Sequence, residues 1–176
     1  MKLEGKKVLI VIPHTQFRDE EFLEPKKILE DEGARIVIAS TSVRTCRGMK
    51  GTVAQSEIAI ADAKADDYSA IIVCGGSSVP EFFWKDKKLQ ELVAAMSAAG
   101  KIVAAICLST VVLAKANLLK GLEATVYFLP QAIEALKEAG AHYVKETLII
   151  HKNIILAEGP PDSQRFGQAI RSAMLG

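Results

Sequence analysis

Cys107 is the side chain in this sequence best placed to do chemistry. It follows the apolar run Lys101–Ile106 (KIVAAI) and comes just before Ser109 and Thr110, which open a segment of helical character. A thiol at such a joint faces unpaired N–H groups and the positive end of the helix dipole, so its thiolate is favoured. The same N–H groups could hold an oxyanion, and a strand-to-helix elbow is a known way to project a nucleophile. The alternative is a core thiol at a strand end, because free cysteine packs as a small hydrophobe. Gly75-Gly76, directly after Cys74, could form a backbone anion nest or an ordinary turn. It is no phosphate loop, because the Lys-Ser/Thr ending is missing.

Three acids, Asp19-Glu20-Glu21, open the first helical segment. Acids there suit the helix dipole; a chemical role needs one carboxylate turned inward toward Cys107. Of the histidines at 14, 142 and 151, only His14 follows a predicted strand at the presumed site edge, where it is a substitute base or a structural imidazole. The three cysteines, at 46, 74 and 107, are an odd number with no C-x-x-C pair. That argues against a disulfide framework and a cysteine zinc site. Cys46 and Cys74 read as structural thiols, and Phe82-Phe83-Trp84 as core or a subunit contact. No metal site and no nucleotide site is expected.

These residues need a frame. Lys7–Ile12 (KVLIVI), Arg35–Ala39, Ala70–Cys74 and Lys101–Ile106 are short apolar runs of the kind buried on both faces of a parallel sheet. Helical patterns lie between them: Asp19–Glu32 before Gly33, Asp86–Ala99 before Gly100, Ser109–Ala116, Pro130–Ala139 and Asp162–Leu175. Pro25 should start or kink the first helix, and Asp162 or Ser163 should cap the last. Cys46–Gly51 reads as loop and Thr52–Ile60 as an exposed strand or hairpin. Tyr143–Glu146, Leu148–His151 and Ile154–Ala157 read as short strands. The alternation implies one α/β domain over residues 1–176, a mostly parallel sheet with helices on both faces. Sites in such sheets lie beyond the carboxyl ends of the strands. His14, Gly75-Gly76, Cys107 and Glu158 fall along that edge.

Composition narrows the function classes. With 22 Lys+Arg against 21 Asp+Glu, interleaved along the chain, there is no basic excess for nucleic acid. No apolar run reaches the ~18 residues of a membrane helix, and the N-terminus lacks a signal-peptide layout. A cytoplasmic protein with reduced thiols is expected, with no nucleic acid or membrane partner.

The order Glu21-Phe22-Leu23-Glu24-Pro25, Val73-Cys74-Gly75-Gly76, Ala104-Ala105-Ile106-Cys107 and Ile155-Leu156-Ala157-Glu158-Gly159-Pro160 resembles the DJ-1/PfpI superfamily, from Lys7 to Leu175. The resemblance implies a flavodoxin-like (class I glutamine amidotransferase-like) sandwich and a homodimer or larger homo-oligomer. It implies that Cys107 is the reactive cysteine, that Glu21 is the carboxyl meeting it, and that Gly75, Gly76 and the Leu108 amide line an oxyanion pocket. There are departures. Leu108 stands where PfpI-type members carry His, so the neighbouring base of a Cys-His pair is absent. Tyr127 corresponds to a family His or Tyr. Glu158 replaces an Arg, and an acid there should disfavour the thiolate.

The resemblance implies a cofactor-independent enzyme of glyoxalase or deglycase type acting on small reactive carbonyls through Cys107 and Glu21. The alternatives are a redox-responsive stress-protection or chaperone protein without turnover, a PfpI-type peptidase that Leu108 argues against, and an inactive or purely binding member.

Overall fold

A computed structural model describes residues 1–176. The strands are β1 (Lys7–Val11), β2 (Thr15–Phe17), β3 (Arg35–Ser40), β4 (Thr45–Gly48), β5 (Val53–Gln55) and β6 (Ile58–Ala59). They continue as β7 (Ala70–Val73), β8 (Ile102–Ile106), β9 (Glu123–Ala124), β10 (His142–Tyr143), β11 (Leu148–His151) and β12 (Ile154–Ala157). The helices are α1 (Asp19–Asp31), α2 (Val79–Phe82), α3 (Lys87–Ala98), α4 (Thr110–Lys115), α5 (Pro130–Glu138) and α6 (Ser163–Leu175). Seven strands form the central sheet in the order β11-β12-β8-β7-β1-β3-β6, all parallel except β11. This is the flavodoxin-like α/β fold.

The inner strands read as continuous apolar runs because both faces are covered. Val8 to Val11, Ala70 to Val73 and Val103 to Ile106 are all buried. Burying such side chains contributes roughly 25 cal/mol per Å² of apolar surface and dominates the drive to fold. The parallel pairing Val73↔Ala105 sets Cys74 and Gly75 level with the start of the turn after β8. The sheet itself therefore brings the Gly-Gly turn and Cys107 together.

Pro25 neither starts nor visibly interrupts α1, which runs from Asp19 to Asp31. Lacking an N–H, it leaves the carbonyl of the residue four before it, Glu21, without its helical partner. The Cys74 thiol fills that vacancy, donating to Glu21 O at 3.3 Å. On its other side Pro25 packs against α6, where a Cβ on Gly167 would come within 3.0 Å of Pro25 Cα.

Two expected elements differ. Cys46–Gly51 is not all loop: Thr45–Gly48 is a strand, parallel to β2 and antiparallel to β5. Its charged and polar neighbours hid a short strand, the middle one of a three-stranded sheet, whose single buried residue is Cys46. The strand expected over Tyr143–Glu146 is reduced to His142–Tyr143, because only His142 and Tyr143 find a partner, in β9. Asp162 occupies the N-cap position of α6, but its side chain caps no N–H; Ser163 Oγ instead donates to Pro160 O at 2.7 Å.

Candidate active site

Cys107 sits at the first residue beyond β8 with φ of +64°. This left-handed conformation costs a non-glycine residue on the order of 1–3 kcal/mol, and the surroundings hold it there. Ser109 Oγ donates to Cys74 O at 2.5 Å, and Trp84 Nε1 donates to Leu108 O at 2.9 Å. The Tyr127 N–H donates to Cys107 O at 3.4 Å. The three anchors come from three segments of the chain and pin the elbow on both sides.

The three acids opening α1 have separate partners. Asp19 Oδ1 and Oδ2 accept from the backbone N–H groups of Lys50 (2.8 Å) and Thr52 (2.9 Å), tying the turn after β4 to the helix. Burial works to raise its carboxyl, but the bonds from Thr52 and Lys50 outweigh it and hold it below the ordinary value. Glu20 faces outward to Arg18 and Lys50. Glu21 alone turns inward and is fully buried. Its Oε1 accepts the Gly75 N–H at 2.8 Å, while Oε2 has no hydrogen-bond partner of good geometry. The neighbouring polar group is the Cys107 thiol, which bears on the titration of Glu21.

Burial pushes the Glu21 carboxyl up to about 8, against the opposing bonds from Gly75 and Cys107. It therefore holds its proton at neutral pH. The Cys107 thiol is also pushed well above its ordinary value, first by burial and next by the charge Glu21 acquires when ionised. The backbone N–H groups of Leu108 and Gly76 face the sulfur and pull the other way, without reversing the shift. The expectation of a thiolate favoured at neutral pH is thus corrected. The helix after the thiol is short, and desolvation outweighs its dipole.

A cavity of about 300 Å³ opens onto the sulfur. Its walls are largely apolar, with Met49, Pro80, Leu108 and Tyr127 among them, and Arg18 is the one charged lining residue. Cys107, 5% exposed, forms part of its floor. Leu108 therefore leaves the pocket open. A larger depression of about 510 Å³, beside Lys6, Tyr68 and Lys101, contains neither Cys107 nor Glu21.

The structure thus brings Cys107, on its elbow, and the Glu21 carboxyl together, the pair that the sequence resemblance named, and adds the positive φ and the burial. The model of the DJ-1/PfpI family matches residues 6–173. The chain belongs to the DJ-1/PfpI family. An uncharacterised protein of Methanocaldococcus jannaschii is 42% identical over 172 residues, covering 98% of this chain and 84% of that protein. A Pyrococcus abyssi protein named as a deglycase is 27% identical over 154 residues, covering 88% of this chain and 91% of its own. The crystal structure of a ThiJ/PfpI domain protein from Brachyspira murdochii superposes with a TM-score of 0.90 at 27% identity, covering 97% of this chain and 98% of that one.

Several residues depart from the roles the DJ-1/PfpI resemblance implied. Gly75 is no free oxyanion donor, because its N–H is committed to Glu21 Oε1. The amides left for an oxyanion are those of Gly76 and Leu108, which face the sulfur. His14 does not line the cavity. It stands edge-on to Phe82 at 4.5 Å, and burial and Arg44 lower its pKa, so the substitute-base role has no geometry behind it. Glu158 is also outside the lining, and its charge reaches Tyr143 rather than the thiol. The acid that disfavours the thiolate is Glu21. Tyr127 does line the cavity, 45% exposed.

Sequence reasoning missed Arg18, Met49, Ser77 and Pro80 in the lining. Arg18 carried one readable signal, its place directly before the acidic helix start. In the fold its N–H donates to Gly75 O at 3.0 Å, and Phe17 forms a bridge to Gly76. The segment before α1 is thereby stitched to the Gly-Gly turn. A Cβ on Gly76 (φ +137°) would collide with that segment, at 2.7 Å from Phe17 Cα.

Proposed function

We propose that this chain is a cofactor-independent cysteine enzyme of glyoxalase or deglycase type, acting on small reactive carbonyls such as a 2-oxoaldehyde or its adduct with an amine or thiol. The observation that carries the proposal is the fully buried Glu21 carboxyl beside the Cys107 thiol under an open cavity. Its pKa of about 8 lets it both take and return a proton near neutrality. The Pyrococcus abyssi relative named as a deglycase supports the same chemistry.

The steps follow from the positions. Ionised Glu21 takes the thiol proton, and the sulfur attacks the aldehyde carbon. The S–C bond forms, and the carbonyl π pair moves onto oxygen, between the amides of Gly76 and Leu108. Glu21 returns the proton to that oxygen, giving a hemithioacetal. With a 2-oxoaldehyde, the hydrogen on the former aldehyde carbon leaves as a proton and is returned to the adjacent carbon. One carbon is oxidised by the two electrons the other gains, so no external oxidant is needed. Water then cleaves the resulting thioester to a 2-hydroxy acid and the free thiol.

Peptidase chemistry lacks a base, since no histidine of this chain lines the cavity. A redox role without turnover has one feature in its favour: protonated Glu21, with Oε2 uncommitted, could donate to an oxidised Cys107. A reducing compartment suits the three free cysteines, and exposed Val43, Met49 and Val53 around the β4–β5 hairpin suit a homodimer contact.

Methylglyoxal consumption with no added cofactor separates the readings. The wild type is expected to convert it to lactate and Cys107→Ser to show only the buffer rate. Equal rates for the two proteins would contradict the enzymatic proposal and leave the redox role.

A further inference from the structure

We infer that Arg18 makes this a site for carbonyl substrates that carry a carboxylate, and that 2-oxoaldehydes bearing an acid group are its preferred class. The inference rests on the carbonyl-addition reading of Cys107 given above and goes beyond it by naming what the rest of the cavity recognises.

Arg18 is the single charged side chain in the lining, whose other polar side chains are Ser77, Tyr127 and the Cys107 thiol itself. Its position is fixed from two directions. The backbone N–H is tied to Gly75 O at 3.0 Å. Glu20 accepts from Nε at 3.1 and 3.2 Å and pairs with Nη2 at 3.0 Å. Glu20 thus holds one edge of the guanidinium, and Nη1 makes no hydrogen bond. Lys50 Nζ stands 3.4 Å from Glu20 Oε2, the same oxygen that pairs with Arg18 Nη2. Glu20 is thus shared by two cations, and Arg18 remains the one charge in the cavity lining. That charge reaches the bottom of the site: after the bond from Glu20, the ionised forms of Glu21 and Cys107 are among the groups that raise the guanidinium.

A guanidinium offers a planar, permanently charged fork suited to a carboxylate. With its side chain 28% exposed it keeps a path to solvent, so it can meet an anion without stranding a buried charge. Apolar walls on the other sides lower the local dielectric and strengthen the pairing. Neutral methylglyoxal uses none of this. γ,δ-Dioxovalerate carries the same 2-oxoaldehyde group plus a carboxylate that Arg18 can hold while Cys107 adds to the aldehyde. The steps proposed for methylglyoxal turn it into 2-hydroxyglutarate, with water as the only co-reactant.

Two probes test the recognition and the reaction separately. Iodoacetate and iodoacetamide are near-isosteres that differ in charge. Each alkylates a thiol by forming the S–CH2 bond as iodide leaves, the thiol proton passing to solvent. Rates at Cys107, followed by mass spectrometry at neutral pH, give an iodoacetate-to-iodoacetamide ratio for wild type, Arg18→Ala and Arg18→Lys. The ratio, which cancels any common change in thiol reactivity, is expected to fall about fivefold in Arg18→Ala and to be largely kept in Arg18→Lys. An unchanged ratio, or both reagents slowed alike, overturns the inference. The second probe compares kcat/KM for γ,δ-dioxovalerate with that for methylglyoxal, where the same drop in ratio is expected in Arg18→Ala. Cys107-dependent turnover of both carbonyls with no movement in either ratio overturns the anion recognition alone. A moved alkylation ratio with neither carbonyl consumed overturns the substrate assignment together with the carbonyl reading.

Discussion

Replacing Glu21 by Gln is expected to make the protein more stable than wild type above about pH 8, although the substitution lies in the core. The reasoning is one of proton linkage. The carboxyl titrates at 4.5 in the unfolded chain and at about 8 in the fold, where burial raises it. Between those values the native state keeps a proton that the unfolded state has released. This group's contribution is therefore fully present below pH 4.5 and is lost as pH rises through 8. The loss is about 1.4 kcal/mol per pH unit and roughly 5 kcal/mol in all. Gln keeps an oxygen for the Gly75 N–H and carries no ionisable proton. Urea unfolding of both proteins from pH 5 to 9 should show the wild-type curve falling more steeply, with a crossing near the top of the range. Titrating groups that do not couple to Glu21 cancel in the difference, and Cys107, which does couple to it, is raised well above its ordinary value in the fold. Parallel curves would mean that Glu21 is charged in the fold and that its burial is compensated by a partner this account lacks.

The second large effect is expected at Gly75. Its N–H holds Glu21 on one side while the Cys107 side chain passes the other. A Cβ there would collide with Glu21 Oε1 and lie 2.6 Å from Cys107 Cβ and 3.1 Å from the sulfur. None of these neighbours can retreat: Glu21 is sealed in the core, and Cys107 sits on an elbow anchored by Ser109 and Trp84. Gly75→Ala should lower stability by about 3 kcal/mol, as overpacking at a fixed backbone does. It should also reduce methylglyoxal turnover at least about a hundredfold, because the acid–base partner is pushed off the thiol. Gly159→Ala is the matched control. An added Cβ there meets only Tyr127 Cδ1, at 3.5 Å, and should change stability by less than about 0.5 kcal/mol. Full activity in Gly75→Ala would show that the close approach of Glu21 and Cys107 is not needed.

Much of this was legible before the fold was seen, and for physical reasons. Doubly buried strands leave nearly unbroken apolar runs, so β1, β3, β7 and β8 announced themselves, and their carboxyl ends located the site edge. The family resemblance, not the residues alone, singled out Glu21 among the three acids, and the fold supplies a reason: Pro25 frees the Glu21 carbonyl for Cys74, fixing this turn of α1 against the Gly-Gly segment. Short strands of small sheets such as Thr45–Gly48 were not legible, because one inward cysteine gives no periodicity. The role of Gly75 was invisible for a different reason. A glycine shows that backbone must come close to something, but not whether its N–H serves a ligand or a neighbouring carboxyl. Arg18 escaped because a lone arginine at a helix start is ordinary until its neighbours are known.

The central claim is that Cys107 and Glu21 handle protons as one unit, and the pH profile of Cys107 alkylation by iodoacetamide tests it most directly. In the wild type the rate should rise with an apparent midpoint near 8, where the couple loses its first proton. In Glu21→Gln no carboxylate remains to take that proton, and burial, which outweighs the Leu108 and Gly76 N–H groups, sets the thiol, so the midpoint should move above the ordinary 9.0 of a cysteine. Superimposable profiles for the two proteins would contradict the claim.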